Sequence, residues 1–252
     1  MEFRRVFDTI PEQFDKYRVR YSSEVFDSII EYAKIGPGRS VLELGPGTGQ
    51  ATEPVLNTGC DYHAIELGEN LYAKMVEKYG HLANFSIVND DFITHDFGDE
   101  KFDMIYSAAT IQWIPEQIAF SKTFELLKPG GTLAMILCIG DYKTPNEKLY
   151  AKIQKVYDEY FKPDTVYEYG GFRYQAATEY GYTDFEKREF YAVREMELED
   201  YVAFCGTHCD HIVLSEPYRS RFYEGIREAV IQEGGKVVFN DTYVLYLAKK
   251  PE

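Results

Sequence analysis

The sequence predicts a doubly wound α/β fold, with a mostly parallel sheet of seven strands. Through the first 140 residues, short apolar segments of strand length alternate with segments whose apolar residues have helical spacing. A glycine-rich turn directly follows the first of the strand-like segments. Alternation of this kind is typical of parallel βαβ units with right-handed crossovers. At 252 residues, the chain is long enough to bury a sizeable core in one domain.

The first half of the chain supplies one helix and then five strands with helices between them. Apolar side chains at helical spacing predict the first helix over 22–34, and Gly36-Pro37-Gly38 should end it. Short apolar runs predict the strands, over 40–44, 62–66, 85–88, 102–106 and 133–137. Three intervening helices are predicted over about 50–56, 71–79 and 118–127, and the last precedes a turn at 128–131.

The pattern changes after residue 140. Residues 157–182 hold nine aromatic side chains, which indicate either a core beneath a surface layer or a lid over a ligand site. A strand around 185–193 and two helices follow, near 198–205 and 216–232. The final strand over 237–247 contains the turn-like pair Asn240-Asp241, which predicts a hairpin or a bulged strand.

Charge and composition exclude several classes of partner. The net charge is −15, so a nucleic-acid backbone or an anionic membrane surface would be repelled, and neither is expected as a partner. No apolar run reaches the ~20 residues of a membrane span, and the first residues lack a secretory signal. The four cysteines are scattered and predict no disulfide framework. These features predict a cytoplasmic protein, and the Cys205–His211 segment is not expected to bind a metal.

Glycine and acidic residues mark the ends of the first three strands. Gly45, Gly47 and Gly49 follow the first strand, where they permit a sharp turn and the close approach of a ligand. Ligands of open α/β sheets bind beyond the carboxyl ends of the strands. Glu66 ends the second strand and can accept hydrogen bonds from ribose hydroxyls, and Asp91 ends the third strand near a possible adenine amino group.

The glycine loop and the acid that follows it are also compatible with two other kinds of protein. A nicotinamide-dependent oxidoreductase would carry Gly-x-Gly-x-x-Gly, but Gln50 stands where its third glycine belongs. Its Tyr-x-x-x-Lys pair occurs only as Tyr246 and Lys250, at the tail of the chain. A binding or regulatory protein that keeps this nucleotide-binding fold without catalysis stays open.

Three segments resemble the class I S-adenosylmethionine-dependent methyltransferases. VLELGPGTGQAT resembles the first motif of that family, and FDMIYSAATIQWIP and LLKPGGTLAM resemble its fourth and fifth strands. The resemblance covers residues 40–139 and is closest to a small-molecule branch that includes trans-aconitate methyltransferase-like proteins. It implies a Rossmann-like fold, S-adenosylmethionine as the cofactor and a small-molecule methyl acceptor.

The resemblance also implies the residues that contact the cofactor. The three glycines would line its methionine part, Glu66 would bind the ribose, and Asp91 and Phe92 would hold the adenine, with Leu67 beside the ring. Glu43 would orient the glycine loop, and Arg18 would pair with the cofactor carboxylate. The complete predicted set is Tyr17, Arg18, Tyr21, Glu43, Gly45, Gly47, Gly49, Glu66, Leu67, Asp91, Phe92, Ser107 and Gln112.

The catalytic residues and the acceptor are less defined. Relatives often carry histidine where this chain has Gln112, so no general base is carried over at that position. His208 and His211 are candidate bases. A carboxylate acceptor, which the resemblance suggests, would need an arginine clamp such as Arg20 or Arg173. No oligomeric state is predicted.

The same reasoning predicts how the chain is divided. One methyltransferase domain is expected over residues 1–252. Its parts are an N-terminal cap over 14–35, a cofactor-binding core over 40–139, a lid over 141–182 and the C-terminal helices and strands over 183–252.

Overall fold

A computed structural model describes residues 3–164 and 171–252 of the chain. Tyr167 and Tyr169 of the aromatic run lie outside these residues. The described strands are β1 (Ser40–Leu44), β2 (Asp61–Glu66), β3 (Phe85–Asn89), β4 (Phe102–Ala108), β5 (Leu127–Asp141), β6 (Thr183–Glu197) and β7 (Lys236–Lys249). The described α-helices are α1 (Pro11–Tyr17), α2 (Ser23–Ala33), α3 (Thr52–Leu56), α4 (Glu69–Tyr79), α5 (Glu116–Leu126), α6 (Glu147–Tyr160), α7 (Leu198–Cys205), α8 (Cys209–Ile212) and α9 (Tyr218–Gln232).

The seven strands form one mixed sheet in the order β3-β2-β1-β4-β5-β7-β6. The pairs β3–β2, β2–β1, β1–β4 and β4–β5 are parallel. Chain order runs outward from β1 in both directions, which places the topological switch point between β1 and β4. The predicted doubly wound fold with seven strands is therefore confirmed.

The helix and strand patterns agree with burial. Val25, Phe26 and Ile29 lie on one face of α2 and are buried, as their helical spacing predicts. Four of the five residues of β1 are buried, as expected of a strand covered on both faces. Such a strand is nearly all apolar, so the polar residue in its centre, Glu43, needs partners.

Two predicted turns are strands instead. Residues 128–131 belong to β5, where the backbone N–H of Gly130 donates to the Lys250 carbonyl and that of Lys250 to the Gly131 carbonyl. The segment is an irregular part of the strand, because Gly130 has a φ of +73° and the β5 residue that pairs with β4 shifts from Leu127 to Thr132 between Phe102 and Met104. A hairpin at Asn240-Asp241 is wrong, because β7 is continuous through both residues.

The chain divides into two compact units. The larger consists of Val19–Cys138, Gly170–Phe190 and Tyr243–Glu252, and the smaller of Met1–Arg18, Ile139–Tyr169 and Tyr191–Thr242. The division of residues 1–252 into a cap, a core and a lid stays a prediction. Within the described residues, no helix is long and apolar enough to cross a membrane.

Candidate cofactor site

The glycine loop between β1 and α3 requires glycine at three positions. The φ angles of Gly45, Gly47 and Gly49 are +61°, +62° and +91°, in the region that side chains disfavour. A Cβ atom on Gly45 would also lie 2.3 Å from Thr110 Cγ2. The Gly45 N–H donates to the Ile65 carbonyl at 2.9 Å, which fixes the start of the loop against the end of β2.

Glu66 ties the glycine loop to the next strand. Its side chain is buried, and its two carboxylate oxygens accept the backbone N–H groups of Gly47 and Gly68, both at 2.9 Å. Charge-assisted bonds of this kind are stronger than neutral ones. A carboxylate can accept about four hydrogen bonds, so hydroxyl donors suit the same group.

The loop after β4 closes the other side of the switch point. Thr110 Oγ1 donates to the Gly45 carbonyl at 3.0 Å, and Ala109 has a strained φ of +55°. The buried Ser107 accepts the Ile111 N–H through its Oγ at 2.9 Å. Gln112 donates to the Ala109 carbonyl. Ser107 and Gln112 therefore shape this loop with bonds to its backbone.

The predicted adenine residues lie at the ends of β2 and β3. Asp91 Oδ1 accepts the Ile93 N–H at 2.9 Å, which holds the turn that follows β3. The Phe92 side chain is 6% exposed and packs 5.9 Å from the Phe97 ring, and Lys122 lies 5.1 Å over it. With so little of the ring exposed, Phe92 serves mainly as core, whereas Leu67 is half-buried.

Glu43 lies beneath the loop among hydroxyl groups. The Thr52 hydroxyl donates to Glu43 Oε2 at 2.5 Å, and the Tyr62 hydroxyl bonds the same oxygen. The Tyr106 hydroxyl in turn bonds that of Tyr62 and lies 3.2 Å from the Ala51 carbonyl. Burial raises the pKa of Glu43 to about 7, against the lowering effect of its hydrogen bonds. The same burial raises the pKa of Tyr62 and Tyr106 well above the usual value.

The predicted N-terminal contacts fall in both units. Tyr17 and Arg18 belong to the smaller unit, where the Arg18 guanidinium lies 5.6 and 5.3 Å from the Phe7 and Phe14 ring centroids. Tyr21 belongs to the larger unit, and its ring lies 5.9 Å from that of Tyr243. The cofactor contacts predicted for these three residues stay predictions.

Both candidate bases lie in the smaller unit, where His211 is buried and His208 is half-buried. His211 is 3% exposed; its Nδ1 lies 2.7 Å from the Cys205 carbonyl and its Nε2 2.9 Å from the Tyr157 hydroxyl. Nδ1 is therefore the protonated nitrogen, and Nε2 accepts from Tyr157. Burial lowers the pKa of His211, and lowers that of His208 well below its usual value. Both rings are neutral at physiological pH, and both nitrogens of His211 already have partners.

The lowered pKa values of His208 and His211 predict acid destabilisation. The pKa values of His208 and His211 are lower in the folded protein than in the unfolded chain. As pH falls from 7 to 5, the unfolded chain therefore binds more protons at these residues, which favours unfolding. We expect His208→Gln to reduce the fall in melting temperature over this range, as measured by calorimetry at pH 5, 6 and 7. His81→Gln, at an exposed position, is the control and should leave the fall unchanged. An equally steep fall in His208→Gln would contradict this account.

The arginine and the aromatic side chains of residues 171–182 are held in place by contacts within the larger unit. Arg173 bonds the Glu116 and Glu179 carboxylates at 2.7 and 2.9 Å, so its charge is already neutralised and a clamp role for it is disfavoured. Tyr182 is buried, and its hydroxyl bonds Thr123 of α5 at 2.8 Å. The Phe172 ring lies 5.2 Å from Phe120 of the same helix. Tyr182 belongs to the core of the larger unit and Phe172 packs against it, whereas Arg173 is exposed. The lid over 141–182 stays a prediction.

Sequence reasoning missed three residues of the site. Thr110 follows the carboxyl end of β4, so the rule that located Glu66 and Asp91 could have found it. Tyr62 and Tyr106 occupy buried strand positions and resemble ordinary core residues. Their signal was Glu43 itself, because a buried carboxyl requires polar neighbours and Glu43 pairs with Tyr106 in the sheet register.

Parts of the chain are similar to known proteins. Residues 42–135 match the family model of a methyltransferase domain. The biotin biosynthesis bifunctional protein BioHC of Teredinibacter turnerae is 30% identical over 144 residues, 51% of this chain and 25% of that protein. Ribosomal RNA small subunit methyltransferase A of Bacillus cytotoxicus is 25% identical over 154 residues, 57% of this chain and 53% of that protein. The chain spans about half or less of the length of these two relatives.

A solved structure covers the whole chain. It is phosphoethanolamine N-methyltransferase 2 of Haemonchus contortus, in complex with phosphomonomethylethanolamine and S-adenosylhomocysteine. The TM-score is 0.59 at 17% identity, over 100% of this chain and 61% of that one, and this likeness shows the fold. The family model thus identifies residues 42–135 as a methyltransferase domain, and the likeness over the whole chain shows the fold.

Proposed function

We propose that this protein transfers the methyl group of S-adenosylmethionine to a small molecule. The single observation that carries the proposal is the glycine loop, whose three left-handed glycines are tied to the buried carboxylate of Glu66. A nicotinamide-dependent oxidoreductase is not favoured, because the matching family model is a methyltransferase domain. The same match disfavours a non-catalytic regulatory protein.

The residues around the loop fit the chemistry of this cofactor. Glu66 presents carboxylate oxygens to the ribose hydroxyls, and the loop offers backbone that no Cβ shields along the methionine part. Asp91 and Leu67 lie at the neighbouring strand ends, where they would receive the adenine. When bound, the cofactor supplies a methyl group on a positively charged sulfur. The work of the chain is then to align a nucleophile behind that methyl and to exclude water.

A small-molecule acceptor is favoured over nucleic acid by charge. The chain carries a net charge of −15, and phosphate contacts with lysine and arginine supply most of the affinity for nucleic acid. The relatives include a ribosomal RNA methyltransferase, so the experiment must include RNA. If the acceptor is a carboxylate, Arg173 is disfavoured as its clamp, because two carboxylates already engage it. Arg20 is the other candidate.

An acceptor screen tests the proposal. The protein and S-adenosylmethionine are incubated with small amines, carboxylates, phenols and thiols, and separately with ribosomal RNA, and the release of S-adenosylhomocysteine is measured. We expect turnover with one small-molecule class, and no turnover with RNA. Methyl incorporation into RNA alone would contradict the proposed acceptor class. Stabilisation of the protein by NADH and not by S-adenosylhomocysteine would contradict the cofactor.

A further inference from the structure

A row of buried oxygen atoms runs beneath the glycine loop. It passes from Glu43 Oε2 through the hydroxyls of Tyr62 and Tyr106 to the Ala51 carbonyl, with Thr52 bonded at the Glu43 end. Glu43 and Thr52 are buried, and so are both tyrosines. The groups that face the Glu43 carboxyl come from three elements, namely Thr52 of α3, Tyr62 of β2 and Tyr106 of β4. Such a buried row must supply its own hydrogens, one for each contact.

Counting the hydrogens of the four contacts favours one protonation state of the row. It contains four contacts: Thr52 with Glu43, Glu43 with Tyr62, Tyr62 with Tyr106, and Tyr106 with the Ala51 carbonyl. Each of the three hydroxyls brings one hydrogen, so an ionised Glu43 leaves one contact without a hydrogen. When Glu43 is in its acid form, its carboxyl brings a fourth hydrogen, so that each of the four contacts has one. Glu43 then donates to Tyr62, Tyr62 to Tyr106, and Tyr106 to Ala51, while Thr52 donates to Glu43.

The row joins the two ends of the loop. Glu43 lies in β1, just before Gly45, whereas Ala51 and Thr52 lie where α3 begins. Bonds from Glu43 to Thr52, and through the tyrosines to the Ala51 carbonyl, hold these ends at a fixed separation. This fixed separation constrains the backbone between the two ends, which includes Gly47 and Gly49.

We propose that Tyr62 and Tyr106 are positioning residues for the cofactor, which act by closing the base of the glycine loop together with the acid form of Glu43. The inference rests on the proposed function, because it assigns the loop to S-adenosylmethionine. Neither tyrosine touches the cofactor. Each holds the backbone that does, and the loss of either hydroxyl loosens the loop without changing its sequence.

The acid form is accessible near neutral pH, since burial raises the pKa of Glu43 to about 7. Above that pH the carboxyl ionises, both Thr52 and Tyr62 donate to it, and Tyr106 has one hydrogen for two contacts. The row then loses one of its hydrogen bonds. Cofactor affinity should therefore fall as pH rises through about 7.

The test is calorimetric titration with S-adenosylhomocysteine at pH 6 and pH 8. For the wild type we expect affinity to be about three- to tenfold weaker at pH 8, the factor that one hydrogen bond of ordinary strength contributes. Tyr106→Phe should bind S-adenosylhomocysteine more weakly than the wild type at pH 6, by the same factor. Its affinity should be nearly independent of pH, because the contact that ionisation breaks is already missing. Glu43→Gln should bind tightly at both pH values, since its amide supplies two hydrogens.

Tyr182→Phe is the matched control. It also removes a buried hydroxyl bond, to Thr123 of α5, but lies outside the row, so it should lower stability and leave affinity unchanged. The proposal is overturned if Tyr106→Phe and Tyr62→Phe, shown to be folded by circular dichroism, bind as the wild type does at pH 6. It is also overturned if Glu43→Gln keeps the wild-type dependence on pH. Failure of the wild type to bind S-adenosylhomocysteine at either pH would instead contradict the proposed function.

Discussion

Replacing Glu66 with alanine is expected to weaken S-adenosylhomocysteine binding by about 100-fold or more. The proposed ribose contacts are charge-assisted hydrogen bonds, each of which contributes about 1.5–3 kcal/mol, and two of them account for that factor. The same substitution leaves the buried N–H groups of Gly47 and Gly68 without the carboxylate that accepts them. The glycine loop should therefore lose its attachment to β2 as well.

Calorimetry and thermal unfolding separate the two effects of Glu66→Ala. Asp103→Ala is the control, since Asp103 accepts the Ser40 N–H and pairs with Arg39 and Lys128 at the opposite end of the strands. Both variants should be less stable than the wild type, and only Glu66→Ala should lose the rise in melting temperature caused by S-adenosylhomocysteine. Equal affinity in Glu66→Ala and wild type would remove Glu66 from the site.

Replacing Glu43 with glutamine is expected to stabilise the protein at alkaline pH. The folded-state pKa of Glu43 is about 7, above the ordinary value of 4.5, so the folded protein holds this proton more tightly than the unfolded chain does. As pH rises from 4.5 to 7, the wild type therefore loses stability that glutamine keeps. One pKa unit corresponds to about 1.4 kcal/mol, so the difference between a pKa of 4.5 and one of about 7 amounts to about 3 kcal/mol of unfolding free energy. That is a large part of the ~5–15 kcal/mol that stabilises a typical domain.

The measurement is urea unfolding of both proteins at pH 5, 6, 7 and 8. The difference in unfolding free energy should grow with pH up to about 7 and then level off. The wild-type curve alone does not isolate this effect, because His208 and His211 act in the opposite direction below pH 6.5. The wild type and Glu43→Gln share both histidines, so the difference between their unfolding free energies does not contain that contribution. A difference that stays constant with pH would contradict a titrating Glu43.

Much of the fold follows from local patterns. The predicted strand over 40–44 coincides with β1, and the strand predicted to end at Glu66 is β2. Buried parallel strands are short apolar runs in the sequence. A turn that needs positive φ at the end of a strand is visible in the sequence as a cluster of glycines. The same patterns located the glycine loop, which is why the methyltransferase domain over residues 42–135 was predicted correctly.

Other features depend on contacts between distant residues. The pairing of Gly130 with Lys250 places residues 128–131 inside β5, although Pro129 and two glycines are typical of a turn and Gly130 has a φ of +73°. Tyr62 and Tyr106 become functional only because the strand register places their hydroxyls beside Glu43. The aromatic run shows the same limit, since Tyr157 belongs to the smaller unit and Tyr182 to the larger. Its composition does not reveal which side chains meet.

The most direct test of the account is calorimetric titration of the wild type and Gly47→Val with S-adenosylhomocysteine. Gly98→Val is the matched control, because Gly98 also has a positive φ, +56°, and its Cβ position is open. We expect one site per chain in the wild type and in Gly98→Val. In Gly47→Val, a branched side chain would stand where the cofactor approaches, and a folded variant should show no binding. Unchanged affinity in a folded Gly47→Val would place the cofactor elsewhere and contradict the central claim.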